Sequence, residues 1–106
     1  MTTINPTVGR KIWYRPSEAE RQGYRSLALL PDIDGEGFQP LDATIVGVHG
    51  ADRINLLVVD AIGRAWPRLN ILLIQEGDMP PDGEAYAQWM PYQTGQAQKA
   101  AEAAKD

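Results

Sequence analysis

The sequence predicts a mostly β domain, a small five-stranded SH3-like barrel, with an open β-sandwich as the alternative. The stretch Arg53–Gly77 contains two short apolar runs rich in β-branched residues, Ile54–Val59 and Leu69–Ile74, each bounded by turn residues. Such runs are typical of strands rather than helices. Strand-like segments also follow the order of an SH3-like barrel: one strand, a long excursion, three strands joined by short turns, and a fifth strand. Closure into a barrel covers the edges that an open sheet would expose.

Composition limits the functional classes. The chain has 106 residues, enough for one domain with a single core. The sequence contains no cysteine, which excludes a disulfide framework, a thiolate nucleophile and a cysteine metal site. Its formal net charge is −4, so we do not expect a nucleic-acid partner, because that affinity comes from basic side chains that neutralise phosphates. We expect neither a signal peptide nor a membrane helix, since no apolar run approaches ~20 residues.

The first part of the chain predicts an arm and a strand. Residues 1–8 are polar, and we expect a flexible arm there. Gly9–Arg15 alternates enough to predict the first strand, with Ile12 and Tyr14 on the same side. Pro16 ends this strand, because proline has no N–H to donate to a sheet.

The excursion that follows contains a helix signal and a loop. Ser17 and Glu20 match a capping box, which predicts a short helix within residues 17–30. The apolar run at residues 25–30 could continue this helix or form a strand, and periodicity alone does not separate the two. The segment from 31 to 37 is rich in glycine and acidic residues and predicts a loop.

The central strands are predicted around two turns. Leu41–Val48 is rich in β-branched residues and predicts the second strand, with a bulge or a close backbone approach at Gly47. In the hairpin loop, Asp60 is expected to bond its own downstream backbone, and Gly63 to take a positive φ. The flanking apolar runs supply most of the core, and we expect Leu57 to be buried among them.

The end of the chain changes in character. Ala85–Met90 predicts the last strand, and Pro91 ends it. Residues 94–106 are rich in alanine without a large apolar residue, and we expect a frayed helix or a disordered tail. The barrel domain is therefore predicted to span residues 9–93.

The sequence offers no pattern that points to catalysis or to a metal. His49 has Asp52 nearby but no serine or cysteine partner, and we interpret it as a turn histidine. The segment from Asp32 to Gly37 resembles a calcium loop, but its glycine follows the second aspartate directly, where a further oxygen ligand is required. We therefore expect a solvated acidic turn, no metal, no cofactor and no enzymatic activity.

The aromatic residues are more numerous than a barrel of this size can bury. We expect Trp66, together with Tyr86 or Trp89, to fill the core, while other aromatic residues line a groove or a subunit interface. Tryptophan, tyrosine and arginine dominate the energetics of interfaces, and the segment Trp89–Gln93 is the best local candidate. The predicted interface residues are Trp13, Arg15, Trp66, Arg68, Trp89, Tyr92 and Gln93.

Three segments carry a resemblance to a known group of proteins. They are GRKIWYRP at Gly9–Pro16, VHGADRINLLVVDAIG at Val48–Gly63, and QWMPYQTGQAQKA at Gln88–Ala100. In these segments the chain resembles small uncharacterised proteins of tailed bacteriophages and prophages, which have similar lengths. The resemblance implies origin, a phage or prophage product in the cytoplasm of a bacterial host or in the virion, and it carries over no catalytic residue.

These observations predict a non-enzymatic phage accessory or virion-associated protein. It is expected to associate with itself, or to dock on a phage or host protein, through its aromatic residues. The alternative is an anti-defence protein that binds a host factor or a small anionic ligand such as a nucleotide signal. Its pocket would lie between subunits and be lined by Trp13, Arg15, Trp66, Arg68, Trp89 and Tyr92.

Overall fold

The computed structural model describes residues 3–23, 29–32 and 37–104, and its strands form a closed barrel in the order β1-β2-β3-β4-β5. The predicted mostly β barrel is confirmed, and the sheet closes rather than forming an open sandwich. Neighbouring strands are antiparallel except β4 and β5, which are parallel. The elements are β1 (Lys11–Arg15), α1 (Glu18–Gly23), β2 (Leu41–Val48), β3 (Arg53–Val59), β4 (Ala65–Ile74), β5 (Tyr86–Gln88) and α2 (Pro91–Ala104).

The core lies inside the barrel and follows the two-residue period of the strands. Ile12 and Tyr14 of β1 point inward, as predicted, and both are fully buried. On β3 the buried residues are Ile54, Leu56 and Val58. Burial of such an aliphatic side chain contributes roughly 1.5–3 kcal/mol, so the inner side of this strand is a major source of stability.

The prediction that Leu57 is buried is wrong. Leu57 is 42% exposed, because alternate residues of a strand point to opposite faces and the inward positions belong to its neighbours. The run from Ile54 to Val59 contains only Asn55 as a polar residue, so its polarity did not reveal which residues point inward.

The hairpin between β3 and β4 has the predicted turn chemistry. The Asp60 carboxylate oxygen Oδ1 accepts the N–H groups of Ile62 at 3.1 Å and Arg64 at 2.9 Å, and Gly63 has a φ of 88°. Burial acts to raise the pKa of Asp60, but these N–H groups and the Arg64 guanidinium outweigh it and hold that pKa below its usual value of 3.8. The loop is therefore fixed by contacts within five consecutive residues.

The predicted bulge in β2 is confirmed. The register with β3 shifts between Ile45 and Gly47, which pairs with Asn55. A Cβ atom at Gly47 would lie 3.0 Å from the Nδ2 atom of Asn55. A larger residue here would therefore have to displace the Asn55 side chain of the neighbouring strand, which favours glycine.

β4 is longer than predicted, because Trp66 and Pro67 lie inside it. The N–H of Asp60 donates to the carbonyl of Arg64, which places these residues at a hydrogen-bonded position of the ladder, while the Arg64 N–H donates to the Asp60 side chain. Hydrogen-bonded and non-bonded pairs alternate along an antiparallel ladder, so the Pro67 nitrogen points away from its partner Leu57. Within the described residues β4 pairs with β5 only over Leu72–Ile74, so this proline removes no ladder hydrogen bond.

The capping box and the short helix of the excursion are confirmed. The Ser17 hydroxyl accepts the Glu20 N–H at 3.1 Å, and the Glu20 carboxylate accepts the Ser17 N–H at 3.0 Å. The helix α1 then ends at Gly23. The open choice between helix and strand at residues 25–30 concerns residues 25–28, which lie outside the described residues, while 29 and 30 belong to no helix or strand.

Both ends of the predicted domain need correction. Ile4, expected in a flexible arm at residues 1–8, is buried in the core, and its N–H and C=O groups bond the Gln75 side chain at 3.0 Å each. α2 begins at Pro91 rather than at residue 94, because proline suits the first helical position. β5 is accordingly shorter than the predicted Ala85–Met90.

Candidate functional site

A buried polar cluster, formed by Tyr14, Glu20 and Arg68, joins the excursion to the barrel. The Tyr14 hydroxyl donates to Glu20 Oε1 at 2.5 Å, and Arg68 Nε donates to the Tyr14 oxygen at 2.9 Å. Arg68 Nη2 lies 3.3 Å from the same Glu20 oxygen. A buried carboxylate requires such partners, since an unpaired one is costly in a low dielectric.

The cluster is suited to structure rather than to proton transfer. Burial raises the pKa of Tyr14 well above its ordinary value of 10.0, the hydrogen bond and the charge of Glu20 raise it further, and Arg68 only partly opposes them. The phenol is therefore neutral at physiological pH and has no solvent access. Through Glu20, and through the Glu18 N–H that donates to the Gly83 carbonyl at 3.0 Å, α1 is bonded to β1, β4 and the loop before β5.

A cleft of about 600 Å³ lies beside this joint, between the excursion and the loop before β5. Its floor is the cross-strand pair of Arg15 and Tyr86. One wall carries Phe38, whose backbone pairs with Pro31 across the excursion. The loop before β5 contributes two consecutive prolines to the lining, and α1 contributes Arg21. We call this site the cleft, and its principal residues are Arg15, Arg21, Phe38, Pro80, Pro81 and Tyr86.

Arg15 is held rigidly at the cleft floor. Its Nε donates to Gln88 Oε1 at 2.7 Å, and its Nη1 donates to the Phe38 carbonyl at 2.9 Å. Its guanidinium carbon also lies 5.9 Å from the centroid of the Trp13 ring, within cation–π range. Because a guanidinium has five N–H donors, fixed donors remain for a ligand.

A second surface feature is apolar and lies on the outside of β2, β3 and β4. Leu57 pairs with Pro67, and both are exposed. Val46 and Leu69 lie on either side of Asn55, on β2 and β4. Val46 directly precedes Gly47, which pairs with Asn55. Leu69 directly precedes Asn70, whose N–H donates to the Asn55 side chain at 2.9 Å. Val46 is 51% exposed and Leu69 is 69% exposed. We call this the outer apolar face, formed by Val46, Leu57, Pro67 and Leu69.

Sequence reasoning missed both features for identifiable reasons. Leu57 and Leu69 of the outer apolar face lie in the two apolar runs that are predicted to supply most of the core, and only the phase of the alternation separates inward from outward residues. The cleft joins residues that are far apart in sequence, and its walls contain turn residues whose positions depend on tertiary packing. A signal for the cleft existed in the cross-strand neighbours Arg15 and Tyr86, but their register is not readable from the sequence.

The structure separates the seven predicted interface residues. Trp89 is in the core at 4% exposure, so its ring does not line a surface of this chain, and Arg10 covers it at 5.3 Å from the ring centroid. Its indole Nε1 is buried without a hydrogen-bond partner among the described residues. Trp66 is half-buried against the core, as predicted, and Arg68 belongs to the buried polar cluster.

The remaining predicted residues fall into two places. Arg15 lines the cleft, and Trp13, outside the lining, contacts its guanidinium. Tyr92 is exposed at the start of α2, and the Gln93 side chain donates to the Lys11 carbonyl at 2.7 Å. Within one chain the predicted pocket is therefore not assembled, because its aromatic residues occupy the core, the outer surface of β1 and α2.

The other candidate groups have ordinary positions. His49 lies in the turn between β2 and β3, as predicted, with its Nε2 atom 2.8 Å from Asn55 Oδ1. Among the described residues, no three histidine or acidic side chains are grouped closely enough to hold a metal ion. No helix in the described ranges has both the length and the apolar character needed to cross a membrane.

Comparison with protein-family models, curated proteins and solved structures gives no match to this chain.

Proposed function

We propose that this chain is a non-catalytic association module, a phage or prophage accessory or virion-associated protein that pairs with copies of itself through the outer apolar face. The observation that carries the proposal is the exposure of four apolar side chains on three adjacent strands: Leu57 and Pro67 face each other across β3 and β4, while Val46 and Leu69 lie on β2 and β4 near the level of Asn55. Contiguous apolar surface on a soluble protein marks an interaction site. Each Å² of it removed from water contributes about 25 cal/mol.

The face is suited to a second copy because it carries little net charge. Leu57 pairs with Thr44 of β2, and Thr44 pairs in turn with Lys11 of β1. The charge of Lys11 is balanced by Asp42, whose Oδ2 lies 3.1 Å from Lys11 Nζ. Two copies related by a two-fold axis bring the same patch together, and the four side chains that form the patch are uncharged, with Arg53 at its margin bonded to the Asn70 carbonyl at 3.3 Å.

Association by strand addition is disfavoured on the same side of the molecule. Within the described residues, the outer edge of β4 has no strand partner before Leu72, and Pro67 lies on this edge with its nitrogen, which has no hydrogen, pointing outward. A proline at an edge prevents a second strand from completing the ladder. Side chains of the outer apolar face, rather than backbone groups, are therefore the basis of the proposed contact.

The phage or prophage origin rests on the three segments Gly9–Pro16, Val48–Gly63 and Gln88–Ala100. The alternative, an anti-defence binder of a nucleotide signal with a pocket between subunits, has less support. Two of its proposed lining residues are already engaged within the chain: Trp89 is packed in the core, and Arg68 belongs to the buried polar cluster.

The oligomeric state tests the proposal. Light scattering after size-exclusion chromatography should give a mass above that of one chain and rising with concentration, and Leu57→Asp should give a monomer. Ile62→Asp is the matched control, since Ile62 is also apolar and exposed but lies in the hairpin loop away from the face. A wild-type chain that stays monomeric at its highest soluble concentration contradicts the proposal. So does a Leu57→Asp variant that melts cooperatively and still self-associates.

A further inference from the structure

We propose that the cleft binds an extended peptide segment of a partner protein that carries a carboxylate next to an apolar side chain. This site is separate from the outer apolar face, and the inference does not depend on self-association. It adds a second ligand class to a module whose first proposed contact is with its own copy.

The shape of the cleft suits a chain segment. Its volume of about 600 Å³ lies within the roughly 300–1,000 Å³ of ligand sites in proteins. Tyr86 on the floor and Phe38 on one wall offer aromatic surface, and Phe38 is 47% exposed. The two prolines of the lining add rigid apolar surface that loses little conformational entropy on binding. An apolar side chain held between these walls is removed from water on both sides.

The charge that recognises the carboxylate comes from two arginines. Arg15 is fixed by its bonds to Gln88 and to the Phe38 carbonyl, and the Arg21 Nη1 donates to the Pro16 carbonyl at 3.2 Å. Neither guanidinium forms an ion pair with a carboxylate in the described ranges of the chain. A planar guanidinium binds a carboxylate or a phosphate through two parallel hydrogen bonds, so these pre-positioned arginines recognise an anionic group.

The acidic residues of the cleft decide between a peptide and a phosphate-bearing ligand. Asp32 and Glu84 line the same site, and the whole chain carries a net charge of −4. Like charges repel a ligand that carries several negative groups, such as a nucleotide, more strongly than a ligand with one. A peptide with a single carboxylate meets less of this repulsion than a nucleotide does, and its carboxylate can still bind the arginines of the cleft.

The buried polar cluster supports the geometry of the site. Glu20 holds α1 against β1 and β4, and Arg21 is the next residue of that helix. Because the cluster is buried, the cleft wall that α1 supplies is positioned before a ligand arrives. Pre-positioned walls lower the ordering cost of binding.

Selection from displayed random peptides tests the inference. Immobilised wild-type protein should enrich sequences with Asp or Glu next to proline or an aliphatic residue, and Arg15→Gln should not enrich them. In calorimetry, replacing the acid of the best peptide by its amide should weaken binding at least about tenfold, which corresponds to about 1.4 kcal/mol. Phe38→Ser should weaken the same peptide, and this exposed side chain is not required for the core.

Matched variants keep this result apart from the test of self-association. Leu57→Asp should lose self-association and keep the peptide affinity, whereas Arg15→Gln should do the reverse. The inference is overturned if no sequence is enriched, or if Arg15→Gln binds the enriched peptide as wild type does. It is also overturned if inorganic phosphate or adenosine monophosphate displaces the peptide at lower concentration than acetate does, which would assign the cleft to phosphate ligands.

Discussion

The hairpin of β3 and β4 and the excursion between β1 and β2 are stabilised in different ways. The hairpin depends on a turn closed by Asp60 and on aliphatic side chains that point inward from adjacent strands. The described part of the excursion is held by Glu20, whose partners lie on β1 and β4, with Tyr14 and Arg68 separated by 54 positions in sequence. The free energy gained by apolar burial is roughly additive, since each buried methylene contributes separately. The contributions within a buried polar cluster are not additive, because removal of one member leaves the others without partners.

The largest expected effect is on the hairpin. Leu56→Ala should lower the free energy of unfolding by about 2–5 kcal/mol, since a fully buried leucine is replaced and a cavity remains. Leu57→Ala, one residue away on the outer side, should change it by only about 0.5 kcal/mol. Urea unfolding followed by circular dichroism measures both. Equal losses would show that the inward and outward sides of β3 are assigned wrongly.

The next effect tests whether the residues of the buried polar cluster stabilise the fold cooperatively or independently. Arg68→Met leaves the Glu20 carboxylate without its cation and should cost about 2 kcal/mol. This is below the roughly 3–5 kcal/mol of a fully buried pair, because the Arg68 side chain is 35% exposed. Adding Glu20→Gln to Arg68→Met should recover part of the loss. If the double variant instead loses the sum of the two single losses, the two residues are not energetically coupled.

The excursion should also determine the response to alkaline pH. The folded chain raises the pKa of Tyr14 above 10.0, so the protonated phenol stabilises the folded state fully below pH 10. Above pH 10 the unfolded state releases this proton, and the free energy of unfolding should fall by about 1.4 kcal/mol per pH unit. Denaturation at several pH values should show a shallower decline for Tyr14→Phe. A decline of unchanged slope would mean that other groups control alkaline unfolding.

The smallest effect belongs to the hairpin turn and appears at acid pH. The pKa of Asp60 is held below 3.8, so the ionised carboxylate stabilises the folded state above that pH, and this contribution is lost as the pH falls through the folded-state pKa. Asp60→Asn keeps an oxygen acceptor for the turn but cannot ionise. Its melting temperature should therefore depend less on pH between neutral and acid conditions than that of the wild type. An unchanged dependence would exclude Asp60 as a source of acid sensitivity.

The same contrast explains what could be predicted from the sequence. The Asp60 turn, the Gly47 bulge and the Ser17–Glu20 cap were predictable because each depends on residues that are neighbours in sequence or face each other across one strand pair. The orientation of Leu57 was not predictable, because the run around it contains too few polar residues to show the phase. The sequence predicts Trp89 both as one of two candidates for the core and as an interface residue, because a large aromatic residue suits either place, and the structure places it in the core.

Long-range polar contacts were the least predictable part of the candidate site. Arg68 was expected to meet a partner, since a lone arginine on a strand gives no sign of the buried acid that it contacts. The cleft forms where the excursion, which includes α1, meets the loop before β5. The relative positions of these two segments depend on tertiary packing and could not be predicted from the sequence. The barrel topology followed from strand order, whereas the proline inside β4 could be placed only once its pairing was known.

The shortest strand has the widest consequence for cooperativity. β5 has three residues, yet it pairs with β1 on one side and with β4 on the other. Separation of β5 therefore opens the wall at two seams at once and gives water access to core residues of both neighbours. A partly opened barrel retains little of the apolar burial that stabilises it, so local opening near Ala87 lies close in free energy to complete unfolding. The domain should consequently unfold as one unit, although its two ends are stabilised by different chemistry.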